Sequence, residues 1–171
     1  MELQIGDWTV RDWRESDMPS LVRYANNRNV WINLRDRFPH PYTRADGEAW
    51  IARCADTVPR TDFAIADPQE AIGAIGVELQ SADKRRSAEI GYWLAEPFWN
   101  RGIMTLAVQA MTDYAFAEFD LVRIYAPVLD WNPASARVLE KAGYRLEGRL
   151  RESVVKDGKL VDELLYAIVR E

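Results

Sequence analysis

The chain has 171 residues, of which 48% are hydrophobic and 29% are charged, and its formal net charge is −5. This length suits a single core, so we predict one domain over residues 1–171. An acidic balance opposes general nucleic-acid binding, which depends on a basic surface. No apolar run is long enough to cross a bilayer and the N-terminus shows no export signal, so we expect a cytoplasmic protein with neither membrane nor nucleic-acid partners.

The single cysteine and the single histidine limit the possible chemistry. Cys54 has no partner for an internal disulfide and lies in a run of helical apolar periodicity, so a buried structural thiol is favoured over a nucleophile. Together Cys54 and His40 cannot supply a set of zinc ligands, and neither has the spacing of a metal site. We therefore expect no metal.

The N-terminal third is predicted to form a hairpin followed by helices. In chain order these are strands at residues 3–5 and 8–13, a helix capped by Ser16 or Asp17 that ends at residues 26–29, a short helix at residues 30–34, and a helix from Thr43 to about residue 55. Pro39 and Pro41 flank His40 and forbid a helix there, so an extended loop with aromatic and charged groups is expected over residues 36–42.

The middle of the chain is predicted to form an antiparallel meander. Its strands are at residues 62–66, 71–80 and 87–94. The third is apolar at nearly every position, as expected of a central strand covered on both faces. It should stop near Ala95, because Pro97 has no N–H to continue the ladder. The basic run at residues 84–86 lies at the far end of this strand and is interpreted as a solvated turn.

A long helix is predicted to begin at Gly102, because apolar residues recur at helical spacing as far as Phe119. The first turn of a helix has N–H groups without internal partners and carries the positive end of the helix dipole. Gly102 would let a ligand approach the backbone, Arg101 adds a positive charge, and Thr105 adds a hydroxyl donor. The turn is therefore either a phosphate site or an ordinary link between a strand and a helix.

The C-terminal part is predicted to add a strand at residues 122–129 and a helix that Asn132-Pro133 opens and Gly143 closes. This strand would be the parallel neighbour of the strand at residues 87–94. Two final strands, at residues 144–155 and 160–169, flank Asp157-Gly158, which is a strong hairpin signal.

The first of two motifs is Glu-Ile-Gly-Tyr-Trp-Leu at residues 89–94 with the turn Glu-Pro-Phe-Trp-Asn-Arg-Gly-Ile-Met-Thr at 96–105, and the second is Asn-Pro-Ala-Ser at 132–135, continuing to Gly143-Tyr144. In this order the two motifs resemble the GNAT superfamily of N-acetyltransferases, in the branch of the ribosomal-protein-alanine acetyltransferases of RimJ/RimL type. The resemblance covers the chain well from about Phe63. It implies a GNAT-like α/β (α+β) fold, with a twisted, mostly antiparallel sheet of about seven strands, about four helices and a parallel strand fork at the coenzyme cleft.

The resemblance also implies acetyl-CoA as the co-substrate and assigns its contacts to both motifs. The implied coenzyme residues are Tyr92, Trp93 and Leu94 for the pantetheine arm, Asn100, Arg101, Gly102, Ile103, Met104 and Thr105 for the pyrophosphate, and Asn132 and Ser135 from the second motif. Three positions depart from the family pattern. Trp99 stands where the superfamily usually has Gln or Arg, Met104 stands at its last small residue, and Leu106 replaces a Glu that is common in this branch.

Direct acetyl transfer to an amine requires a base, stabilisation of the oxyanion and protonation of the thiolate. Glu89 is the candidate base, since it is the only acid inside the apolar strand and burial would raise its pKa. The alternative is that Glu89 is paired structurally, for example with Arg123. Ser135 is the first candidate for protonating the thiolate and Tyr144 the second, although they could equally be a helix-turn hydroxyl and a core aromatic. Backbone N–H groups of the same strand would hold the oxyanion.

The acceptor is predicted only as a class. In the resembled family the N-terminal helices form the wall of the acceptor pocket. By analogy, the candidates for the substrate site are Trp31, Arg35, Phe38, His40 and Tyr42. The alternative is that these residues only hold a loop on the sheet. The expected reaction is acetyl transfer to a primary amine, either a protein N-terminus or a small molecule. A non-catalytic acyl-CoA-binding or sensing domain is the alternative, and a homodimer is left open.

Overall fold

The computed structural model describes residues 1–170, within which it forms eight strands and five α-helices. The strands are β1 (Glu2–Ile5), β2 (Trp8–Arg11), β3 (Asp62–Ala66), β4 (Ala71–Leu79), β5 (Ser87–Leu94), β6 (Arg123–Leu129), β7 (Arg145–Lys156) and β8 (Lys159–Val169). The helices are α1 (Met18–Ala25), α2 (Arg28–Trp31), α3 (Arg44–Asp56), α4 (Ile103–Glu118) and α5 (Pro133–Lys141). No helix in this part of the chain is long and apolar enough to span a membrane.

The strands form one sheet in the order β1-β2-β3-β4-β5-β6-β8-β7. The β5–β6 pair is parallel, whereas β1–β2, β2–β3, β3–β4, β6–β8 and β7–β8 are antiparallel. The expected fold class is therefore confirmed, with eight strands and five helices where about seven and about four were expected. The chain divides into two compact units, one of residues 1–76 and 92–103 and one of residues 77–91 with the chain from Met104 onward.

The first unit has its core where α1 and α3 meet β3 and β4. The buried members of this core are Trp13, Leu21, Ala25, Tyr42, Ile51, Cys54, Ala64, Ala71 and Ala74. Thr43 caps α3 as predicted, because its hydroxyl accepts the Asp46 N–H at 3.3 Å. The second predicted helix is shifted, since α2 spans Arg28–Trp31 rather than residues 30–34. The reason is local: the Asn27 side chain caps the helix by accepting the Asn29 N–H.

The predicted cap of α1 has another role. Asp17 occupies the N-cap position, but its side chain makes no capping bond to α1. Its two carboxylate oxygens each accept a bond of 2.8 Å from the Arg11 guanidinium, and the Arg14 N–H donates to one of them at 2.9 Å. Both charged side chains are buried. The pair therefore joins β2 to the start of α1, which capping rules alone did not predict.

The second unit contains the parallel ladder and the C-terminal hairpin. The β5–β6 register pairs Ser87 with Arg123, and Ala88 and Glu89 with the next two residues of β6. The turn between β7 and β8 has Asp157 and Gly158 at φ of 51° and 74°. Positive φ at both residues is what a tight hairpin turn requires, so this prediction is confirmed.

Burial along β5 corrects one expectation. Ala88, Ile90 and Leu94 are buried, but Glu89 is half-buried and Gly91 is exposed. The prediction that this strand is covered on both faces was therefore wrong. Side chains alternate between the two faces of a strand, and the face that carries Glu89 and Gly91 is only partly covered by the protein.

Candidate active site

Strands β4 and β5 approach each other closely where β5 ends. A Cβ atom added to Gly73 would lie 2.4 Å from the carbonyl oxygen of Trp93 and 3.1 Å from the Cα of Leu94, so only glycine fits there. One residue further, the Ala95 N–H donates to the Ile72 carbonyl at 2.8 Å. The backbone of Trp93 and Leu94 is thus held from the side of β4.

The chain then reverses into α4 through a turn that only certain residues can make. The indole N–H of Trp99 donates to the carbonyl oxygen of Leu94 at 2.7 Å, which ties the turn to the end of β5. Asn100 and Gly102 have φ of 61° and 79°. Asparagine and glycine are the residues that adopt this left-handed conformation most readily, so the local sequence itself favours the turn.

The residues predicted to bind phosphate lie at this turn and in the first turn of α4. The Arg101 guanidinium donates to the Pro97 carbonyl at 2.9 Å and lies 5.3 Å from the centre of the Phe98 ring. A Cβ added to Gly102 would meet nothing within 4 Å, so the backbone there is open to a ligand. Within α4, Ile103 and Met104 are buried and Thr105 is half-buried. Open backbone beside a cation at a helix start suits an anionic ligand.

Two asparagines join the region of α2 to the same turn. Asn27 Nδ2 donates to the Glu96 carboxylate at 2.7 Å, and Asn29 Nδ2 donates to both of its oxygens at 3.0 and 3.1 Å. Glu96 directly follows Ala95 at the end of β5. Sequence reasoning missed this contact, because nothing in the pattern around Asn27 indicates a partner 69 residues away.

Four of the predicted acceptor residues take part in three aromatic contacts in the first unit. The rings of Trp31 and His40 stack, with centroids 5.4 Å apart and planes 26° apart. The Phe38 ring lies 5.2 Å from that of Tyr42 and 5.9 Å from that of Trp93. Through Phe38, the loop that follows α2 therefore contacts the end of β5.

Two further properties describe this loop. Tyr42 is buried, and its burial raises the pKa of the phenol well above its usual range, so the hydroxyl stays protonated at neutral pH. Arg35 is exposed, and its carbonyl accepts the Phe38 N–H at 2.9 Å in a tight turn. Tyr42 is thus a structural neighbour of Phe38, whereas Arg35 presents a charge at the surface.

The second motif begins α5. The side chain of Asn132 caps the helix by accepting the Ser135 N–H at 3.2 Å, and the Asn132 N–H donates to Leu129 at the end of β6. Ser135 is half-buried, but Tyr144 is only 3% exposed and its hydroxyl is 2.8 Å from that of Thr112. Of the two alternatives for Tyr144, its position supports the core aromatic over the proton donor.

Glu89 lies in β5, opposite Tyr125 in the parallel register, and is half-buried. Arg123, the structural partner considered from sequence, is opposite Ser87 and forms an ion pair with the Glu147 carboxylate. This guanidinium lowers the pKa of Glu147. Arg123 therefore has a carboxylate partner on β7.

Cys54 is buried, and its burial raises the pKa of the thiol to about 12, so it carries no charge at neutral pH. Over residues 1–170, no group of three or more His, Cys, Asp or Glu side chains is arranged to hold a metal ion.

Sequence comparison extends these observations. The family described as Acetyltransferase (GNAT) domain matches residues 8–145. The uncharacterized N-acetyltransferase YoaA of Bacillus subtilis is 38% identical over 104 residues, which cover 61% of this chain and 58% of that protein. The ribosomal-protein-serine acetyltransferase of Escherichia coli is 32% identical over 105 residues, covering 61% and 58%. The chain spans about six tenths of the length of several curated relatives that it matches.

A solved structure has the same fold over nearly the whole length of this chain. Spermidine N-acetyltransferase from Vibrio cholerae, in complex with CoA and spermine, superposes with a TM-score of 0.80 at 25% identity and covers 95% of each chain. The turn from β5 to α4 and the parallel β5–β6 pair lie within the segment that the family match covers. The chain belongs to the GNAT acetyltransferase family.

Proposed function

We propose that this protein transfers the acetyl group of acetyl-CoA to a primary amine, on either a protein N-terminus or a small molecule. The observation that carries the proposal is the turn between β5 and α4. Its backbone reverses through Asn100 and Gly102 at positive φ, Gly102 is open to a ligand, and Arg101 stands beside the helix start. Membership of the GNAT family supports the same conclusion.

The residues present suit the coenzyme. Backbone N–H groups at the start of α4, Arg101 and the Thr105 hydroxyl would hold the pyrophosphate. Backbone groups of residues 92–94 would hold the pantetheine amides, and Asn132 would add a contact from the second motif. The Leu94 carbonyl already accepts the Trp99 indole N–H, so the remaining lone pair is its only further acceptor site.

Acetyl-CoA supplies the acetyl group as a thioester: the amine nitrogen bonds to the acetyl carbon, the carbon–sulfur bond breaks, and CoA leaves as a thiol. The protein must remove one proton from the amine and return one to the sulfur. We assign the first task to Glu89, directly or through water, and the second to Ser135. Backbone N–H groups of β5 would hold the oxyanion. Tyr144, buried against Thr112, receives no step.

The acceptor pocket is proposed to include Trp31, Arg35, Phe38 and His40, with Tyr42 in ring contact with Phe38. Relatives named for ribosomal-protein-serine and spermidine acetylation show that the acceptor differs within this group of proteins. The proposed substrate class is accordingly a primary amine, without a particular identity. The contact of Phe38 with Trp93 supports a pocket beside the end of β5.

A second candidate is a non-catalytic acyl-CoA-binding domain. The observation that favours it is Trp99, which stands at a position where the family usually has Gln or Arg. Its indole N–H donates a hydrogen bond to the Leu94 carbonyl oxygen. A protein of this kind would bind acetyl-CoA without transferring the acetyl group to any amine.

Two measurements test these alternatives. Acetyl-CoA at a hundredfold excess over its dissociation constant should stabilise the fold by about 2.7 kcal/mol, which for a chain of this size raises Tm by about 5–10 °C. Thiol release with a panel of amines should then reveal turnover. Stabilisation without turnover on any amine would favour the binding domain, and the absence of any stabilisation at millimolar acetyl-CoA would contradict both.

We also propose that the protein works in the cytoplasm as a single functional domain without a nucleic-acid partner. The net charge of −5 supports the last point, because nucleic-acid affinity comes largely from basic surface. A homodimer is a further possibility, and sedimentation at several protein concentrations would test it. Cell fractionation would test the location.

A further inference from the structure

The five proposed acceptor residues lie in one loop whose two ends are held together. We call residues 28–42, which contain α2 and these five residues, the acceptor segment. The side-chain oxygen of Asn26, just before the segment, accepts the N–H of Tyr42, its last residue, at 3.0 Å. The segment is therefore closed at its base, and its position depends on what holds that base.

The base of the segment is attached through one carboxylate to the turn from β5 to α4. We call this turn, residues 95–102, the coenzyme turn. Near its start, the two carboxylate oxygens of Glu96 accept three hydrogen bonds. One comes from Asn27 Nδ2 at 2.7 Å, and two come from Asn29 Nδ2 at 3.0 and 3.1 Å. The same residue accepts the Trp99 N–H on its backbone carbonyl at 3.1 Å. Glu96 thus belongs to the coenzyme turn by its backbone and to the acceptor segment by its side chain.

Glu96 also determines which way the Asn27 amide points. Oδ1 of Asn27 caps α2 by accepting the Asn29 N–H at 2.7 Å, whereas Nδ2 donates to Glu96. An ionised carboxylate only accepts hydrogen bonds, so it favours the orientation in which the amide nitrogen faces Glu96 and the amide oxygen faces the helix. The reverse orientation would bring oxygen against oxygen and leave the helix without its cap.

The cap of α2 is important because this helix is a single turn of four residues. So short a helix does not form in water by itself and depends on capping and tertiary contacts. The Trp31 N–H closes the turn by donating to the Asn27 carbonyl at 2.9 Å, and the Trp31 ring stacks on that of His40. The orientation of Asn27 is therefore passed through α2 to two side chains of the proposed acceptor pocket.

We propose that Glu96 is a positioning residue for the acceptor: through Asn27 and Asn29 it holds the acceptor segment in register with the coenzyme turn. This inference rests on the proposed acetyltransferase function and deepens it, because it names a residue outside the pocket that sets the pocket's geometry. Transfer requires the amine nitrogen to reach the thioester carbon at a defined distance and angle, and a misplacement of about 1 Å can slow such a step by about 10²-fold. The contact of Phe38 with Trp93 is a second attachment, so loss of Glu96 should displace the α2 end of the segment most.

The single histidine of the chain reports the position of the segment without any ligand. In a proton–carbon NMR spectrum of the coenzyme-free protein, the His40 ring gives one isolated set of signals, which the stacked Trp31 indole shifts from their position in the unfolded chain. All variants are compared at pH 8. Glu96→Ala should move these signals toward their position in the urea-unfolded protein, because all three hydrogen bonds are lost. Glu96→Gln keeps one acceptor oxygen and should retain most of the parent shift.

Kinetics provide the second measurement. The probe is the amine that the parent protein acetylates fastest in the panel of the proposed function, with spermidine and the peptide amide Ser-Ala-Ala-Ala included. For this amine, Glu96→Ala should lower kcat/KM by about tenfold, the lower end of the effect of hydrogen bonds to a charged group, because the site is partly exposed. The dissociation constant of acetyl-CoA should change by less than about threefold, since the lost bonds lead to the acceptor side. Glu96→Gln should restore most of the kcat/KM.

Glu70→Ala is the matched control in the same compact unit. The Glu70 carboxylate also accepts three hydrogen bonds from side chains, but they come from Arg23 and Tyr24 in α1. This variant therefore removes a carboxylate with the same number of bonds and leaves those of Asn27 and Asn29 to Glu96 in place. Its His40 signals and its kcat/KM for the amine should be those of the parent protein.

The outcomes separate this inference from the proposed function. A folded Glu96→Ala protein with the His40 signals and the kcat/KM of the parent would overturn the inference. Equal losses of coenzyme affinity and of kcat/KM for the amine would also overturn it, because Glu96 would then support the coenzyme turn itself. If Glu96→Ala does not fold, Asn29→Ala replaces it, since this change removes two of the three bonds and leaves the Asn27 side chain in place. Acetyl-CoA binding by the parent protein without transfer to any amine would overturn the proposed function, and the acceptor role of Glu96 with it.

Discussion

Replacing Gly73 with alanine should disturb the end of β5 and with it the proposed coenzyme site. The added Cβ would lie 2.4 Å from the Trp93 carbonyl oxygen. The shortest ordinary carbon–oxygen contact is about 3.3 Å, so β4 and β5 must separate by about 0.9 Å. The Trp93 carbonyl oxygen and the Leu94 Cα, which would lie 3.1 Å from the added Cβ, are backbone atoms. Neither can rotate away as the end of a flexible side chain would.

The size of the effect follows from this geometry. Overpacking of a close contact destabilises proteins by about 1–3 kcal/mol. For a chain of this length each kcal/mol lowers Tm by about 2–4 °C, so a decrease of about 2–12 °C is expected. Since a displacement of about 1 Å can slow a reaction by up to about 10²-fold, turnover of the folded protein should fall by about 10- to 100-fold.

Differential scanning calorimetry and thiol-release kinetics would measure the two effects. Gly148→Ala is the control, because a Cβ at Gly148 meets nothing within 4 Å and the residue lies in β7. Its Tm should stay level or rise by about 1–4 °C, since the only expected change is a lower backbone entropy of the unfolded chain, worth about 0.4–1 kcal/mol. A Gly73→Ala protein with the Tm and turnover of the parent would refute the close approach of β4 to Trp93.

Three further predictions concern single side chains. Glu89→Gln keeps the shape of the side chain but removes its basicity, so turnover at saturation should fall by about 10²–10⁴-fold while coenzyme affinity hardly changes, as steady-state kinetics would show. Arg101→Ala should raise the dissociation constant of acetyl-CoA more than it slows saturated turnover, because the phosphates are remote from the reacting carbon. Cys54, with its thiol pKa raised to about 12, should not react with a thiol reagent at pH 8 until the protein unfolds.

Each of these has an outcome that contradicts it. A folded Glu89→Gln protein within about threefold of the parent rate would remove Glu89 as the base, since general-base catalysis contributes far more than that. For Arg101→Ala, an unchanged dissociation constant together with slower turnover would place Arg101 in the chemistry rather than in phosphate binding. Rapid labelling of Cys54 in the native protein, at the rate of the unfolded chain, would show that the thiol is not buried in solution.

Some parts of the fold and of the site could be predicted from the sequence alone. These parts depend on residues that lie close to one another along the chain. Asparagine and glycine adopt positive φ more readily than other residues, so a turn at Asn100 and Gly102 could be predicted from the local sequence. Thr43 caps α3 through a residue three positions away, and Asp157-Gly158 makes the hairpin turn. Backbone preference and short-range hydrogen bonding act within a few residues, which is why these elements were confirmed.

Other features arose only when distant segments met. The contact of Asn27 with Glu96 and that of Phe38 with Trp93 join residues more than fifty positions apart, and no local pattern distinguishes them from many alternatives. Asp17 could satisfy its charge either as a helix cap or as a partner of Arg11, and burial of both groups in the folded chain decided for the ion pair. Pairing energies of this kind depend on which groups lose water together, and only the tertiary structure determines that.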